Sequence, residues 1–382
     1  MMKPRLLDVM GDALNLVRKS NVAEATALIR KALSGEKAWR RMRDYAEAEA
    51  EAEAQPLRLP GPNLAPPVRR PLGEVLRALR ARPSIILPDA IDKTDEPPPD
   101  THDGKFTSRS YRGAAGSLKY RLYVPAGHEH GDPALVLMLH GCTQNPEDFA
   151  LGTQMNALAD EFGLIVAYPL QPRRANAAGC WNWFDKRHQN RGSGEPAKLA
   201  GLAQTLASEF GIKKNRIFAA GLSAGGAMAE ILAATYPDVF DAVGIHSGLP
   251  YKAALDVPSA FAAMKGTAAV HLPPHAASAN DCRKIVFHGG ADETVHPANG
   301  ERILDEAQRG PKPLKRLDLD WEIEGGRVNR AVLQDAEGRP VVEHWFVEDG
   351  GHAWFGGDLR GSYTQSVGLD ASRVMVRFFL KK

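Results

Sequence analysis

The sequence predicts an α/β protein in which a mostly parallel sheet is covered by helices on both faces, preceded by a helical and proline-rich extension. Three observations carry that prediction. Short runs such as Ala134–Leu139 are apolar at every position, the mark of a strand buried on both faces. These runs alternate with longer stretches of helical spacing, the order that builds parallel strands joined by crossover helices. Prolines punctuate residues 56–99 and then thin out, so the composition changes near residue 100.

The chain has 382 residues, 43% hydrophobic and 25% charged, enough to bury a large core. Forty-eight basic against 46 acidic residues leave a net charge of +2, so no bulk electrostatic argument favours nucleic acid or an anionic membrane. Three cysteines, Cys142, Cys180 and Cys282, are too few for a disulfide framework and fit a reducing compartment, with one bridge still open. The first residues carry charge but no apolar run long enough for a signal peptide, and no stretch approaches the ~20 apolar residues that span a bilayer. A cytoplasmic protein is the expectation.

Residues 5–33 and 36–54 show helical spacing, the second ending in alternating Ala and Glu that have little to bury. One short amphipathic piece, 72–79, interrupts the prolines, and Glu96 to Asp100 forms a stiff linker. The domain boundary is therefore placed at 1–100 and 101–382. The first hundred residues are read as a poorly ordered extension, with docking on the second domain, partner binding and self-association as alternatives. Beyond 104, residues 106–112 and 118–124 alternate as an antiparallel hairpin. Strands follow at 134–139, 164–168, 216–220, 242–245, 283–287 and 341–347. Helices are expected at 147–162, 195–210, 224–236, 301–308 and 372–380.

Within this alternation one stretch stands out: an apolar strand at 217–220, then Gly221-Leu222-Ser223-Ala224-Gly225, then a helix of small residues. Strand, Gly-x-Ser-x-Gly and helix is the context of a nucleophile elbow. The glycines leave room for a turn too tight for flanking side chains, and Ser223 stands at a helix N-terminus, where developing negative charge is favoured. A serine needs a base, and the base needs an orienting acid. In chain order Ser, Asp, His, two glycine-flanked loops after strands qualify. His288-Gly289-Gly290-Ala291-Asp292 supplies Asp292, preferred over the adjacent Glu293, and Gly350-Gly351-His352 supplies His352. His246, His288 and His296 are the structural competitors.

The oxyanion donors are expected from Ala224 N–H and from the loop after strand 134–139, at Cys142 N–H with Thr143 behind it. Trp181 and Trp183, in an aromatic-rich loop, are expected to contact substrate, with core capping as the alternative; Trp354, just past His352, is placed with them. No metal motif and no phosphate loop occur, since Gly356-Gly357 lacks a following lysine. No cofactor is expected.

Six ordered blocks together resemble the polyhydroxybutyrate (PHB) depolymerase family of esterases, which also holds feruloyl and acetylxylan esterases. They are Leu139 to Gln144, Cys180-Trp181-Asn182-Trp183, Gly221 to Gly226, Ser247 to Tyr251, His288 to Asp292 and Gly350 to Trp354. They span roughly 104–380. The resemblance implies an α/β-hydrolase fold and a serine esterase with Ser223 as nucleophile, Asp292 as acid and His352 as base. Its implied substrates are short hydroxyalkanoate esters, oligomers or polyester, with feruloyl or acetylxylan-type esters as the alternative. Many members are secreted, which sets an extracellular location against the cytoplasmic expectation. An acyltransferase or peptidase on the same triad, and a non-catalytic polyester-granule binding protein, are the competing functions.

Overall fold

The structure, a computed structural model, describes residues 104–128, 131–267, 282–323 and 326–381. All belong to the unit Thr101–Lys382. The expected N-terminal helices, proline-rich stretch and linker lie outside the described residues.

The hairpin is present as β1 (Lys105–Gly113) and β2 (Gly116–Val124), paired out to Gly113 and Gly116 around a two-residue turn. Next come β3 (Ala134–Leu139), α1 (Pro146–Thr153), α2 (Met155–Phe162), β4 (Leu164–Pro169), α3 (Gly194–Glu209) and β5 (Ile217–Leu222). Then follow α4 (Ala224–Thr235), β6 (Ala242–His246), α5 (Val257–Met264), β7 (Arg283–Gly289) and α6 (Ala298–Gln308). The last elements are β8 (Lys315–Ile323), β9 (Gly326–Gln334), β10 (Pro340–Val347), β11 (Trp354–Phe355), β12 (Thr364–Gln365) and α7 (Ala371–Leu380).

Among the described residues, ten strands form one sheet in the order β1-β2-β4-β3-β5-β6-β7-β10-β9-β8. From β4 to β10 neighbours run parallel, while β2 joins β4, and β9 joins β10, antiparallel. Strand periodicity sorts side chains between two cores. Leu135, Leu137 and Leu139 face α3 and α4, whereas Val136 and Met138 face α1, α2 and α7. Burial on both faces is what a fully apolar strand requires, and β3, β4 and β5 are buried at every position. No helix among the described residues is long and apolar enough to cross a membrane.

Two expectations are corrected. The helix expected at 147–162 is two, broken at Gln154 in the left-handed region (φ 54°). The Gly152 carbonyl accepts from Asp358 N–H at 2.9 Å and the Thr153 carbonyl from Ser372 Oγ at 2.6 Å. Neither is then left to carry a continuous helix, whose carbonyls accept from the residue four positions on. The hairpin β8–β9 and the helix α5 were not expected at all. Strand β8 alternates Leu317, Leu319, Trp321 and Ile323 with charges, a period-2 pattern that the sequence reading passed over.

Candidate active site

Strands β5, β7 and β10 end together at one edge of the parallel sheet, and their loops carry the candidate residues. After β5 the chain turns so sharply that Ser223 adopts φ 57°, ψ −118°, outside both helix and strand regions. Its N–H donates to His246 O at 2.9 Å and its carbonyl accepts from Ala227 N–H, so the elbow is fixed from the next strand and from α4. The close packing explains the glycine at 225, where a Cβ would lie 2.0 Å from Leu139 O. Backbone strain of this kind recurs at reactive centres.

The loops after β7 and β10 interlock. Gly290 N–H donates to Val347 O, Ala291 N–H to Gly350 O, and a Cβ on Gly289 would meet Gly350 O at 2.1 Å. This interlock brings Asp292 and His352 together: His352 Nδ1 lies 2.7 Å from Asp292 Oδ2. The other carboxylate oxygen accepts Thr294 N–H at 2.9 Å and Val295 N–H at 2.8 Å. Burial works to raise the Asp292 pKa, but the hydrogen bond and charge of His352 and the Val295 amide outweigh it, and the net shift is downward. The carboxylate stays ionised and can only accept, so the proton in this hydrogen bond is on Nδ1, and the bond fixes the orientation of the ring. Glu293, by contrast, is exposed.

Two of the competing histidines, His246 and His288, are packing groups. His246 is fully buried, its ring stacked on Phe287 and Trp354, and Nε2 accepts Phe355 N–H. His288 is buried against Asp292, and Nε2 donates to Val295 O at 2.8 Å; burial pushes its pKa down to about 4. His296 is exposed beside Ala298 N–H.

In the loop after β3, the amides of Gly141, Thr143 and Gln144 are committed. Gly141 N–H donates to Gln144 Oε1 at 2.9 Å, Thr143 N–H to Ala178 O at 2.8 Å and Gln144 N–H to Gly141 O at 3.4 Å. Thr143 N–H, engaged by Ala178 O, is not free to serve as a donor, whereas the Cys142 N–H expected from the sequence is not taken up by these bonds. Ala224, the first residue of α4, has no intrahelical acceptor for its N–H. A Cβ on Gly141 would stand 3.7 Å from Ser223 Cβ, so this loop borders the serine.

Cys142 is bonded to Cys180, the one bridge that the sequence left open; Cys282 is free and buried. The bridge ties the loop after β3 to the segment 171–183. Buried Glu195 braces that segment, accepting from Gln171 Nε2, Asn182 Nδ2 and Asn182 N–H. The tryptophans are corrected too. Trp181 and Trp354 are 0% and 1% exposed and Trp183 is 6% exposed, so none presents a face to substrate. Trp181 Nε1 donates to His140 O at 3.1 Å and Trp354 Nε1 to Ser372 Oγ at 2.9 Å, the partners that let an indole be buried. The exposed aromatic beside His352 is one the sequence did not single out. Tyr363 is 47% exposed, with its ring centroid 6.5 Å from that of His352 and its hydroxyl 3.3 Å from Thr143 Oγ1. It lies in a loop with no periodicity, and its position depends on the pairing of β11 with β12.

Comparison with known proteins places these features. Poly(3-hydroxyalkanoate) depolymerase C of Paucimonas lemoignei is 32% identical over 248 residues, covering 62% of this chain and 58% of that protein. Acetylxylan esterase A of Talaromyces purpureogenus is 27% identical over 201 residues, covering 49% of this chain and 51% of that protein. The chain thus spans little more than half the length of these relatives. Among solved structures, an acetyl xylan esterase from Aspergillus awamori superposes with a TM-score of 0.55 at 19% identity, over 72% of this chain and 99% of that one. That likeness gives the α/β-hydrolase fold. A family model described as "Esterase PHB depolymerase" matches residues 118–309, half of the chain and the part that holds Ser223 and Asp292. The chain belongs to the PHB depolymerase family of esterases.

Proposed function

We propose that this protein is a serine carboxylic-ester hydrolase working through an acyl-enzyme. The observation that carries the proposal is the 2.7 Å contact between His352 Nδ1 and a buried Asp292, in loops at the same sheet edge as the strained Ser223. His352 Nε2 takes the Ser223 proton as Oγ attacks the ester carbonyl. Ala224 N–H and Cys142 N–H hold the oxyanion, each worth roughly 2.7–4 kcal/mol of transition-state stabilisation. His352 then protonates the leaving alkoxide and activates water to cleave the acyl-enzyme.

The substrates proposed are short hydroxyalkanoate esters, their oligomers or polyester, as the name of the Paucimonas lemoignei relative supports. The acetylxylan esterase relatives favour a second reading, esters of hydroxylated polymers. The Cys142–Cys180 bridge supports an oxidising compartment over the cytoplasm. The test is Ser223→Ala against a short p-nitrophenyl ester, together with labelling by a fluorophosphonate. A fall in kcat of roughly 10⁴ or more and labelling of Ser223 alone are expected. More than a tenth of the activity surviving in the variant would overturn the assignment. A panel of hydroxybutyrate oligomers, acetylated xylan and feruloyl esters separates the two substrate readings.

A further inference from the structure

Tyr363 is an exposed aromatic held in place from several sides. Its backbone lies in the left-handed region (φ 53°), costly for a bulky side chain and maintained only when the surroundings impose it. Its carbonyl accepts Trp354 N–H at 2.7 Å, which ties it to the strand just past His352. The preceding Ser362 donates its N–H to Asp148 Oδ1 at 2.8 Å, and its carbonyl accepts Gln144 Nε2 at 3.0 Å. Gln144 in turn accepts from Gly141 N–H, so the same side chain that shapes the loop after β3 also fixes the Tyr363 loop.

The polarity of the hydroxyl follows from its neighbour. Thr143 Oγ1 donates its one proton to Cys142 O at 2.6 Å, so at 3.3 Å the phenol must donate to Thr143 Oγ1. The phenol oxygen then has its proton engaged and its lone pairs free, on an exposed residue beside His352. Such an atom suits a partner that donates.

We propose that Tyr363, oriented by Thr143, is a specificity-determining residue that accepts a hydrogen bond from a hydroxyl group carried by the ester. The inference rests on the esterase reading above. The hydroxyl can belong to the acyl chain or to the alcohol, and the test separates the two. Tyr363→Phe removes the oxygen and keeps the ring. Wild type and variant are compared on p-nitrophenyl butyrate against p-nitrophenyl 3-hydroxybutyrate, and on ethyl butyrate against 2-hydroxyethyl butyrate. The quantity read is the ratio of kcat/KM, hydroxylated over plain. That ratio is expected to fall roughly two- to tenfold in one pair, the worth of one neutral hydrogen bond, and the responding pair names the side. Tyr363→Gly, at ease with a positive φ, must lower the same ratio. Ratios unchanged in both pairs, or a loss shared equally by hydroxylated and plain esters, overturn the role of Tyr363. Fluorophosphonate labelling keeps that outcome distinct: a wild type that is labelled but shows no shift on substitution sinks only this inference. A wild type that is neither labelled nor active sinks the esterase reading itself.

Discussion

At Gly225 an added methyl would sit 2.0 Å from Leu139 O and 2.8 Å from His140 O, both backbone atoms that cannot swing aside. Gly225→Ala is therefore expected to push the elbow away from the β3 loop. Its activity should fall by at least 100-fold, as misplacement by about 1 Å can cost, with a lower melting temperature read alongside it. Asp292 gives a second test at this scale. Asp292→Asn keeps the shape but gives up the charge that fixes the His352 tautomer, and a loss of about 10⁴ in kcat is expected. Glu293→Gln, at an exposed neighbour, should stay within a few-fold of wild type. If the damage fell on Glu293 instead, the acid would be misassigned. The three residues proposed for the chemistry could be picked out because each announces itself locally, by flanking glycines after an apolar strand. The tryptophans were not. Whether Trp181 faces in or out is decided by a carbonyl 41 residues away, at His140, and no local pattern carries that information.

Elements were legible in proportion to how much of their burial is local. Fully apolar β3, β4 and β5 could be read directly, and the hairpin β1–β2 by its alternation. The break between α1 and α2 could not, because the competing donors, Asp358 and Ser372, come from more than 200 residues further on. Nor could the Cys142–Cys180 bridge, since spacing does not say which of three cysteines meet. Closing a loop of 38 residues is worth about 4 kcal/mol by loop-closure entropy. Cys180→Ala should lower stability by an amount of that order in denaturant titration. Thiol counting on the unfolded, unreduced wild type should return one free cysteine, Cys282; three would mean the bridge is absent.

Over the whole molecule, charges are buried far from the chemistry. Lys284 Nζ on β7 lies 2.5 Å from Glu230 Oε1 on α4, and both side chains are almost wholly enclosed. Lys284→Met is expected to cost about 3–5 kcal/mol by stranding the carboxylate, and adding Glu230→Gln should recover most of it. Glu306 on α6 shares this electrostatic neighbourhood. Burial, helped by the Glu230 charge, lifts its carboxyl to about 7 against the pull of Lys284, Arg309 and Arg302. The folded protein then holds a proton that the unfolded chain, with a Glu pKa of ~4.3, releases. The contribution of Glu306 to stability should fall as pH rises from about 4.5 to about 7 and level off above, which the variant isolates from the other buried groups. Glu306→Gln imitates the protonated acid. It should unfold at a higher temperature than wild type at pH 8, by up to about 3 kcal/mol in stability, and show no gain at pH 4.

In the proposed mechanism, Cys142, whose amide would hold the oxyanion, is also the residue whose sulfur is bonded to Cys180. Ordering of the donor loop is thus settled once, when the chain oxidises, and need not be repeated at every turnover. It follows that the host chosen to make this protein matters for rate as well as yield. Material produced in a reducing cytosol should reach the same fold, through its large sheet and two cores, yet turn over slowly. The same chain matured in a periplasm, or treated afterwards with oxidised glutathione, should arrive with its catalytic machinery already set.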